Sequence, residues 1–168
     1  MNEIIFDADI LSMLGKIGRI DLLRELFSDS ELFITFEVYN ELLAAKEIGY
    51  DFIDPILEQD VGIMHLDLDT FKSYERMRRE LKKVHSGELA SILMCEKYGY
   101  VFATNDGNAK KFCDKMGVEW LDIIDILRLC LLKDILDKEG VKHMIEEIEE
   151  IEEMDRTRIT RAAEIFRK

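Results

Sequence analysis

The sequence has little proline, cysteine or histidine, and each shortage excludes a class of protein. A single proline and no low-complexity linker occur in 168 residues, of which 48% are hydrophobic and 35% charged. This composition is typical of one folded, helix-rich domain and not of a disordered chain. The cysteines, Cys95, Cys113 and Cys130, lack C-x-x-C spacing, and the three histidines lack metal-ligand spacing. We therefore expect buried free thiols, and neither a disulfide framework nor a zinc site.

Long apolar runs and a secretory leader are also missing. The longest apolar stretch, residues 123–136, is interrupted by Asp125, Arg128, Lys133 and Asp134, so it cannot cross a bilayer. The N-terminus has no basic segment followed by an apolar segment and a small-residue cleavage site. We therefore expect a cytoplasmic protein that does not engage a membrane.

Positive charge is scarce overall but concentrated in one segment. Lys and Arg number 23 against 36 Asp and Glu, giving a net charge of −13. This balance argues against a protein that coats nucleic acid in general, because phosphate contacts need basic side chains. Residues 71–83, "FKSYERMRRELKK", are nevertheless strongly basic. They form either a solvated helix face or a phosphate-contacting patch, and the sequence leaves both open.

The order of strand and helix patterns predicts an α/β fold. Short apolar segments typical of strands ("EIIF", "ELFIT", "VGIMHL", "YVFAT" and "VEWL") alternate with segments typical of helices. Such alternation favours a mostly parallel central sheet flanked by helices. Helix patterns continue from about residue 123 to the end. We therefore predict a domain of residues 1–125 and a helical C-terminal extension of residues 126–168, packed on the domain or on a partner.

Polar residues follow two of the predicted strands, at the edge where parallel sheets form their sites. Asp7 and Asp9 come after "EIIF", and Asn105 and Asp106 come after "YVFAT". Each aspartate could instead serve only as the cap of the helix that follows. Because the carboxyl ends of parallel strands share one edge, the two pairs are expected to lie close together.

Two glutamates near helix starts extend this acidic set. Glu88 lies two residues after a predicted helix cap at Ser86 and could simply stabilise the first helical turn. Glu41 borders the apolar face marked by Val38 and Leu42, where a carboxylate without a partner would be costly. A divalent cation would relieve that cost. Four carboxylates could thus converge at one place.

A carboxylate cluster without histidine or cysteine suits Mg²⁺ or Mn²⁺, which prefer oxygen ligands, and does not suit zinc. A metal held in this way activates water and stabilises charge that develops on a phosphate, which is the chemistry of phosphodiester hydrolysis. The sequence contains no Gly-rich phosphate loop, no G-x-S-x-G and no Ser-His-Asp order. Nucleotide-driven and acyl-transfer chemistry are therefore disfavoured.

The opening "IIFDADIL" resembles the start of two families. In haloacid dehalogenase-like phosphatases an apolar strand precedes D-x-D-x-[TV], which would make Asp7 the nucleophile and Asp9 the general acid. Leu11 occupies the position of the Thr or Val, and the later acidic pair of that family is missing from "FATNDGNAKK". The phosphatase is the less favoured alternative.

A longer resemblance, over roughly the first 125 residues, is to the PIN-domain family of metal-dependent ribonucleases, many of them toxins of toxin–antitoxin pairs. "IIFDADILSMLGKIGRIDLLRELF" resembles the family's first strand and helix hairpin, and "ITFEVYNELL" its second acidic motif. "GELASILMCEKYGYVFATNDGNAKKFCDKMGV" resembles its acid-bearing helix, strand and T-x-D turn. The forms "HSGELAS" and "GKIGRIDLL" look similar to a branch of uncharacterised prokaryotic PIN proteins.

This resemblance implies a PIN-like three-layer sandwich with a C-terminal helical tail, and it implies a site. The catalytic and metal-binding acids would be Asp7, Glu41, Glu88 and Asp106, holding Mg²⁺ or Mn²⁺. Supporting residues or extra ligands would be Asp9, Thr104 and Asn105. Where this chain has Asp9, the family commonly has Ser, Thr or Asn, so the pocket is expected to carry additional negative charge.

The activity implied is metal-dependent endoribonuclease cleavage that leaves a 5′-phosphate and a 3′-hydroxyl. The residues predicted to guide the RNA backbone are Arg78, Arg79, Lys82 and Lys83. The expected partners are RNA, an antitoxin protein and a second copy of the chain, for which the apolar helix "ILRLCLLKDIL" offers a surface. An alternative is a PIN-fold interaction module whose site binds metal weakly or not at all.

Overall fold

The centre of the molecule is a parallel sheet, seen in a computed structural model that describes residues 3–151. Its strands are β1 (Ile4–Phe6), β2 (Leu32–Thr35), β3 (Gly62–Met64), β4 (Val101–Ala103) and β5 (Trp120–Leu121). Their order is β3-β2-β1-β4-β5, and all four pairings are parallel. The predicted α/β class with a mostly parallel central sheet is confirmed.

Helices connect the strands and follow the last one. They are α1 (Ala8–Lys16), α2 (Leu22–Leu26), α3 (Phe36–Glu47), α4 (Ile53–Leu57), α5 (Leu68–Glu80), α6 (Ser86–Tyr98), α7 (Gly107–Met116), α8 (Ile123–Leu132) and α9 (Lys138–Ile151). Thr35 caps α3 by accepting a hydrogen bond from the Val38 N–H at 3.4 Å. Gly99 ends α6 in the left-handed region at φ +72°, where glycine is favoured. Among the described residues, no helix combines the length and apolarity needed to span a membrane.

The helices cover both faces of the sheet, so the molecule has three layers. Side chains alternate along a strand, which directs Ile4 and Phe6 into one core and Ile5 into the other. The first core also contains residues of α1, α2, α3, α4, α8 and α9, and the second contains residues of α5, α6 and α7. Because both faces are covered, β1 is a continuous apolar run with every residue buried. This arrangement confirms the predicted sandwich.

The predicted helical tail is interrupted once within the described part. Residues 133–137 form a turn between α8 and α9, with Asp134 at φ +57°. Val141, Met144 and Ile148 of α9 are buried in the same core as α1 and β1. The proposed boundary between residues 125 and 126 falls inside α8. The remainder of the predicted extension, residues 152–168, lies outside the described residues.

The strand order places a crevice at the middle of the sheet. From β1 the chain builds β2 and β3 on one side, and β4 and β5 on the other. Helices leaving the carboxyl ends of β1 and β4 therefore diverge to opposite faces, as the core memberships of α1 and α7 show. In open parallel sheets, ligands bind in the crevice at such a switch point.

Candidate active site

Asp7 and Asp106 lie at this crevice, after the adjacent strands β1 and β4. Asp7 is the N-cap of α1, where its Oδ1 accepts a hydrogen bond from the Ala8 N–H at 2.8 Å. Asp106 is the N-cap of α7, where its Oδ1 accepts hydrogen bonds from the N–H groups of Asn108 and Ala109, both at 2.8 Å. Both aspartates therefore cap helices, and capping fixes their side chains at the edge of the sheet.

Thr104 connects these two aspartates. Its side chain is completely buried, and its hydroxyl donates a hydrogen bond to Oδ2 of Asp7 at 2.9 Å. Oγ1 of Thr104 also accepts a hydrogen bond from the backbone N–H of Asp106 at 3.2 Å. One hydroxyl thus orients the Asp7 carboxylate and the start of α7 together. This is the geometry of a supporting residue.

Asn105 supports the same turn. Its backbone N–H donates a hydrogen bond to Oδ2 of Asp9 at 3.2 Å, and its side-chain Oδ1 accepts a hydrogen bond from the Ile123 N–H at 3.1 Å. Because that amide oxygen faces the start of α8, the Asn105 side chain ties the turn to the C-terminal helices. Its Nδ2 group donates a hydrogen bond to Sδ of Met13 at 3.8 Å, so the amide contacts α1 as well as α8.

Asp9 lies among the other acids. It follows the Asp7 cap in the first turn of α1, and its charge raises the pKa values of Asp7, Glu41 and Glu88. Because its charge acts on carboxylates from three different segments, Asp9 lies close to all three. From the sequence alone its role was open, because a cap-region acid and a pocket acid occupy the same position.

Glu88 comes from α6 and is buried. The N-cap of α6 is His85 and not the predicted Ser86, which is already helical. An Oε2 atom of Glu88 accepts a hydrogen bond from the His85 N–H at 2.8 Å, closing the first turn of the helix. Burial, together with the charges of Asp106 and Asp9, raises the pKa of Glu88 to about 7. Glu88 therefore stabilises the first turn of α6, as predicted, and is at the same time close to the other acids.

Glu41 reaches the cluster through a close contact between α3 and α6. The residue is exposed as a whole, but its carboxylate lies against Gly87, whose added Cβ would be 2.6 Å from Oε1. Partial burial raises the pKa of Glu41, while the Gly87 amide and the charge of His85 lower it. The contact of Gly87 with Glu41 could not be predicted from the sequence, because a glycine in a first helical turn does not indicate which residue packs against it.

Glu37, one helical turn before Glu41, is a further acid on the same side of α3. An acid in this cap region is ordinarily solvated, yet Glu37 is half-buried and its Oε2 is inaccessible to solvent. Within residues 3–151 this oxygen has no hydrogen-bond partner. The charge of Glu37 raises the pKa values of Glu41 and Tyr74, so it faces the space between α3 and α5. The four-residue spacing between Glu37 and Glu41 is the sequence feature that indicates this, because residues four apart lie on the same side of a helix.

The electrostatics of the crevice favour uptake of a proton or a cation. Burial raises the pKa of Asp7 well above its ordinary value, and the negative charges of Asp9 and Glu88 add to that effect. The Thr104 hydroxyl and the Ala8 amide oppose it only in part. Among the described residues, no three His, Cys, Asp or Glu side chains are arranged closely enough to form a metal site as they stand. Ligation of one ion by these acids would require side-chain adjustment.

The predicted RNA-guiding residues divide into two groups. Arg78 and Arg79 lie in the last turn of α5 and both pair with Glu75, at 3.2 and 3.7 Å. Lys82 and Lys83 are exposed in the loop before α6, and no other described residue forms an ion pair with them. The lysines therefore carry the accessible positive charge nearest in sequence to Glu88.

Comparisons with known proteins agree with this architecture. Residues 3–163 match a family model described as a PIN domain. Among solved structures, the chain is similar to VapBC-1 from nontypeable Haemophilus influenzae, with a TM-score of 0.53 and 20% identity over 71% of this chain and 96% of that one. At this identity the likeness shows the fold. No curated protein gives a significant match. Because the family model covers almost the whole sequence, the chain belongs to the PIN-domain family.

Proposed function

We propose that this protein is a Mg²⁺- or Mn²⁺-dependent endoribonuclease whose metal-binding residues are Asp7, Glu41, Glu88 and Asp106. The observation that carries the proposal is that Asp7 and Asp106 cap the helices leaving the adjacent strands β1 and β4, while burial and neighbouring acids raise the pKa values of Asp7, Glu41 and Glu88. Burying several like charges together is unfavourable unless something neutralises them. Membership of a family of nucleases supports the same conclusion.

The donor set fits a hard divalent cation, since every candidate ligand is a carboxylate. When bound, such an ion would activate water and stabilise the charge that develops on the phosphate. The chain's own groups prepare for this: Thr104 fixes the Asp7 carboxylate, and backbone amides hold Asp106 and Glu88. We place Asp9 and Glu37 beside the ligands, as acids that strengthen cation uptake.

We assign guidance of the RNA backbone mainly to Lys82 and Lys83, because Arg78 and Arg79 share Glu75. The two lysines lie in the loop before α6, where they bring positive charge next to an acidic crevice that otherwise repels phosphates. Cleavage products with a 5′-phosphate and a 3′-hydroxyl follow from the family resemblance.

A toxin-like role, with an antitoxin partner and a cytoplasmic location, is part of the proposal. Its support is the PIN family membership and the fold likeness to VapBC-1. We also propose a homodimer, although the predicted surface on "ILRLCLLKDIL" is reduced in the structure. Ile126, Leu127 and Cys130 of that segment are buried in the core, while Leu132 is 71% exposed.

The test is Asp7→Asn assayed on single-stranded RNA with Mn²⁺. We expect loss of cleavage with the fold retained, because the variant removes a buried charge while its one oxygen still accepts a hydrogen bond from either Thr104 or the Ala8 N–H. Asp51→Asn, at an exposed aspartate, is the matched control and is expected to cleave normally. Full activity of Asp7→Asn, or full activity of the wild type in a chelator, would refute the proposal. Hydrolysis of small phosphate esters instead of RNA would favour the phosphatase alternative.

A second candidate is a PIN-fold interaction module, favoured by the absence of a ready-made metal geometry among residues 3–151. Titration with Mn²⁺ separates the two, because an ion that binds only the folded state raises the melting temperature. A rise that disappears in Asp7→Asn and Asp106→Asn supports the enzyme. No rise in the wild type supports the module.

A further inference from the structure

Phe36 is a large apolar side chain that the fold leaves exposed beside other rings. It is the first residue of α3 and is 41% exposed. Its ring centroid lies 4.9 Å from that of His65, at an interplanar angle of 31°, and 6.4 Å from that of Tyr39, at 27°. We call these three residues the aromatic shelf. Rings in such contact hold one another in place, so the shelf is a pre-formed surface.

The shelf lies on the same edge of the sheet as the acids. Thr35 of β2 pairs with Met64 of β3, so Phe36 and His65 are the next residues of the two strands in register. Both therefore lie past the carboxyl ends of their strands, as Asp7 does for β1. Neighbouring strands are about 4.8 Å apart, so the β2 and β3 ends lie about 5 and 10 Å along the edge from the β1 end.

The acidic crevice needs a source of binding energy other than phosphate contacts. Carboxylates repel the RNA backbone, and the net charge of the whole chain is −13. Uncharged bases avoid this repulsion, and stacking on aromatic side chains is the usual means by which proteins hold single-stranded nucleic acid. An exposed phenylalanine a few ångströms from the strand end that carries Asp7 meets this requirement.

We propose that the aromatic shelf stacks a nucleobase of the RNA strand whose phosphate lies at the acids. The inference rests on the proposed ribonuclease function and adds a binding subsite to it. Stacking on Phe36 requires a base but reads no particular edge of it, so the shelf favours unpaired RNA over duplex without selecting a sequence.

The test uses two fluorescent probes, a short oligoadenylate and the same ribose-phosphate backbone without bases, with binding measured by anisotropy in Mn²⁺ and intact probe verified on a gel. Phe36→Ala is expected to bind oligoadenylate about 5- to 150-fold more weakly than the wild type, the range given by the loss of one aromatic stack. It is expected to bind the abasic backbone as the wild type does. Phe36→Trp is expected to retain affinity, and its added fluorescence is expected to be quenched by oligoadenylate.

Tyr98→Ala is the matched control, because Tyr98 is an equally exposed aromatic residue, at 46%, that ends α6 at the opposite edge of the sheet. Unchanged oligoadenylate affinity in Phe36→Ala would overturn the inference, and so would an equal loss for both probes, which indicates a structural role. A change in oligomeric mass without a change in RNA affinity would assign the shelf to a protein interface. Absence of RNA cleavage by the wild type is the separate result that rejects the ribonuclease proposal.

Discussion

Gly87 shows how one small residue determines where a distant acid lies. A Cβ at this position would lie 2.6 Å from Oε1 of Glu41 and 3.1 Å from Cγ2 of Val38. The first distance is shorter than real Cβ contacts, and its partner atom ends a flexible side chain, so a Cβ here would push the Glu41 carboxylate away from the start of α6. The residue acts through Glu41 and touches no substrate in the proposed mechanism.

We therefore predict that Gly87→Ala displaces the Glu41 carboxylate. The Mn²⁺ affinity, measured by calorimetry, is expected to fall, whereas stability is expected to change by no more than about 1 kcal/mol, because the displaced carboxylate ends a flexible side chain and alanine is favoured over glycine in a helix. Gly107→Ala is the control, because a Cβ at that first position of α7 meets nothing within 4 Å. An unchanged metal affinity in Gly87→Ala would contradict the assigned role.

The stability of the metal-free protein is expected to depend on pH through Glu88. In the folded state burial raises the pKa of Glu88 to about 7, from its ordinary value of 4.5. Between these values the folded chain binds more protons than the unfolded chain, so the free energy of unfolding falls as the pH rises. Urea titrations in a chelator across this window measure that slope.

Glu88→Gln is expected to make the slope shallower, because a neutral amide cannot lose a proton. Glu47→Gln, at an exposed glutamate of α3, is expected to leave the slope as it is in the wild type. An identical slope in wild type and Glu88→Gln would mean that burial of Glu88 does not govern the transition. Saturating Mn²⁺ is expected to offset the decrease in the free energy of unfolding at high pH, since the ion binds ionised carboxylates.

The positions of the candidate residues in the fold could be predicted from the sequence, but the contacts between them could not. Asp7 and Asp106 follow recognisable strands, and parallel pairing brings strand ends together whatever the details. Thr104 is different, since its link between the two aspartates depends on the β1–β4 register, in which Phe6 pairs with Ala103. The contact between Gly87 and Glu41 depends on the packing of α3 on α6, which no local sequence pattern predicts.

At the scale of elements, the end of α5 decides which basic side chains are available. The sequence predicts a helix to about Lys82, but α5 ends at Glu80 because Leu81 is extended, at φ −91° and ψ 98°. Arg78 and Arg79 thus stay on the helix, one turn from Glu75, while Lys82 and Lys83 pass into the loop. A difference of two residues in a helix boundary, which is typical, changes the predicted RNA contacts.

We predict that replacing both Lys82 and Lys83 by Ala weakens RNA binding and its dependence on salt. If both lysines contact phosphates of single-stranded RNA, the slope of log affinity against log salt is expected to decrease by roughly 1.4. Replacing Arg78 and Arg79 by Ala is expected to have a smaller effect, because Glu75 already neutralises part of their charge.

Lys142→Ala is the control for these variants, since Lys142 is an exposed lysine of α9 that pairs with Glu146 at 4.0 Å. Salt titrations of oligoadenylate binding measure all of the slopes under one set of conditions. A slope that responds to the arginines and not to the lysines would reverse our assignment of the backbone-guiding residues.

At the scale of the whole molecule, the C-terminal helices are part of the fold that holds the site. Asn105 accepts a hydrogen bond from the Ile123 N–H at the start of α8, and α9 buries its apolar residues in the core under β1. The sequence indicated helices here but not their destination, because an amphipathic stripe packs equally well on its own domain or on a partner. A tail boundary drawn from sequence resemblance alone consequently cuts through α8.

We predict that Met144→Ala destabilises the entire protein by about 2–5 kcal/mol, the usual cost of a cavity at a fully buried methionine. Unfolding in urea is expected to remain a single transition, with the crevice and α9 lost together. Leu132→Ala, at a residue that is 71% exposed, is expected to change stability little. Two separate transitions, with only one affected by Met144→Ala, would show that the C-terminal helices are an independent unit.

Three helices begin at the acidic crevice: α1 after Asp7, α6 after His85 and α7 after Asp106. The aligned peptide dipoles of a helix place about half a positive charge at its first turn. Part of the countercharge for the acids is therefore built into the backbone, where it neither titrates nor competes with an incoming ion, as a lysine side chain would. Because this backbone charge is fixed by the fold, it would be present at the proposed metal site whether or not an ion is bound.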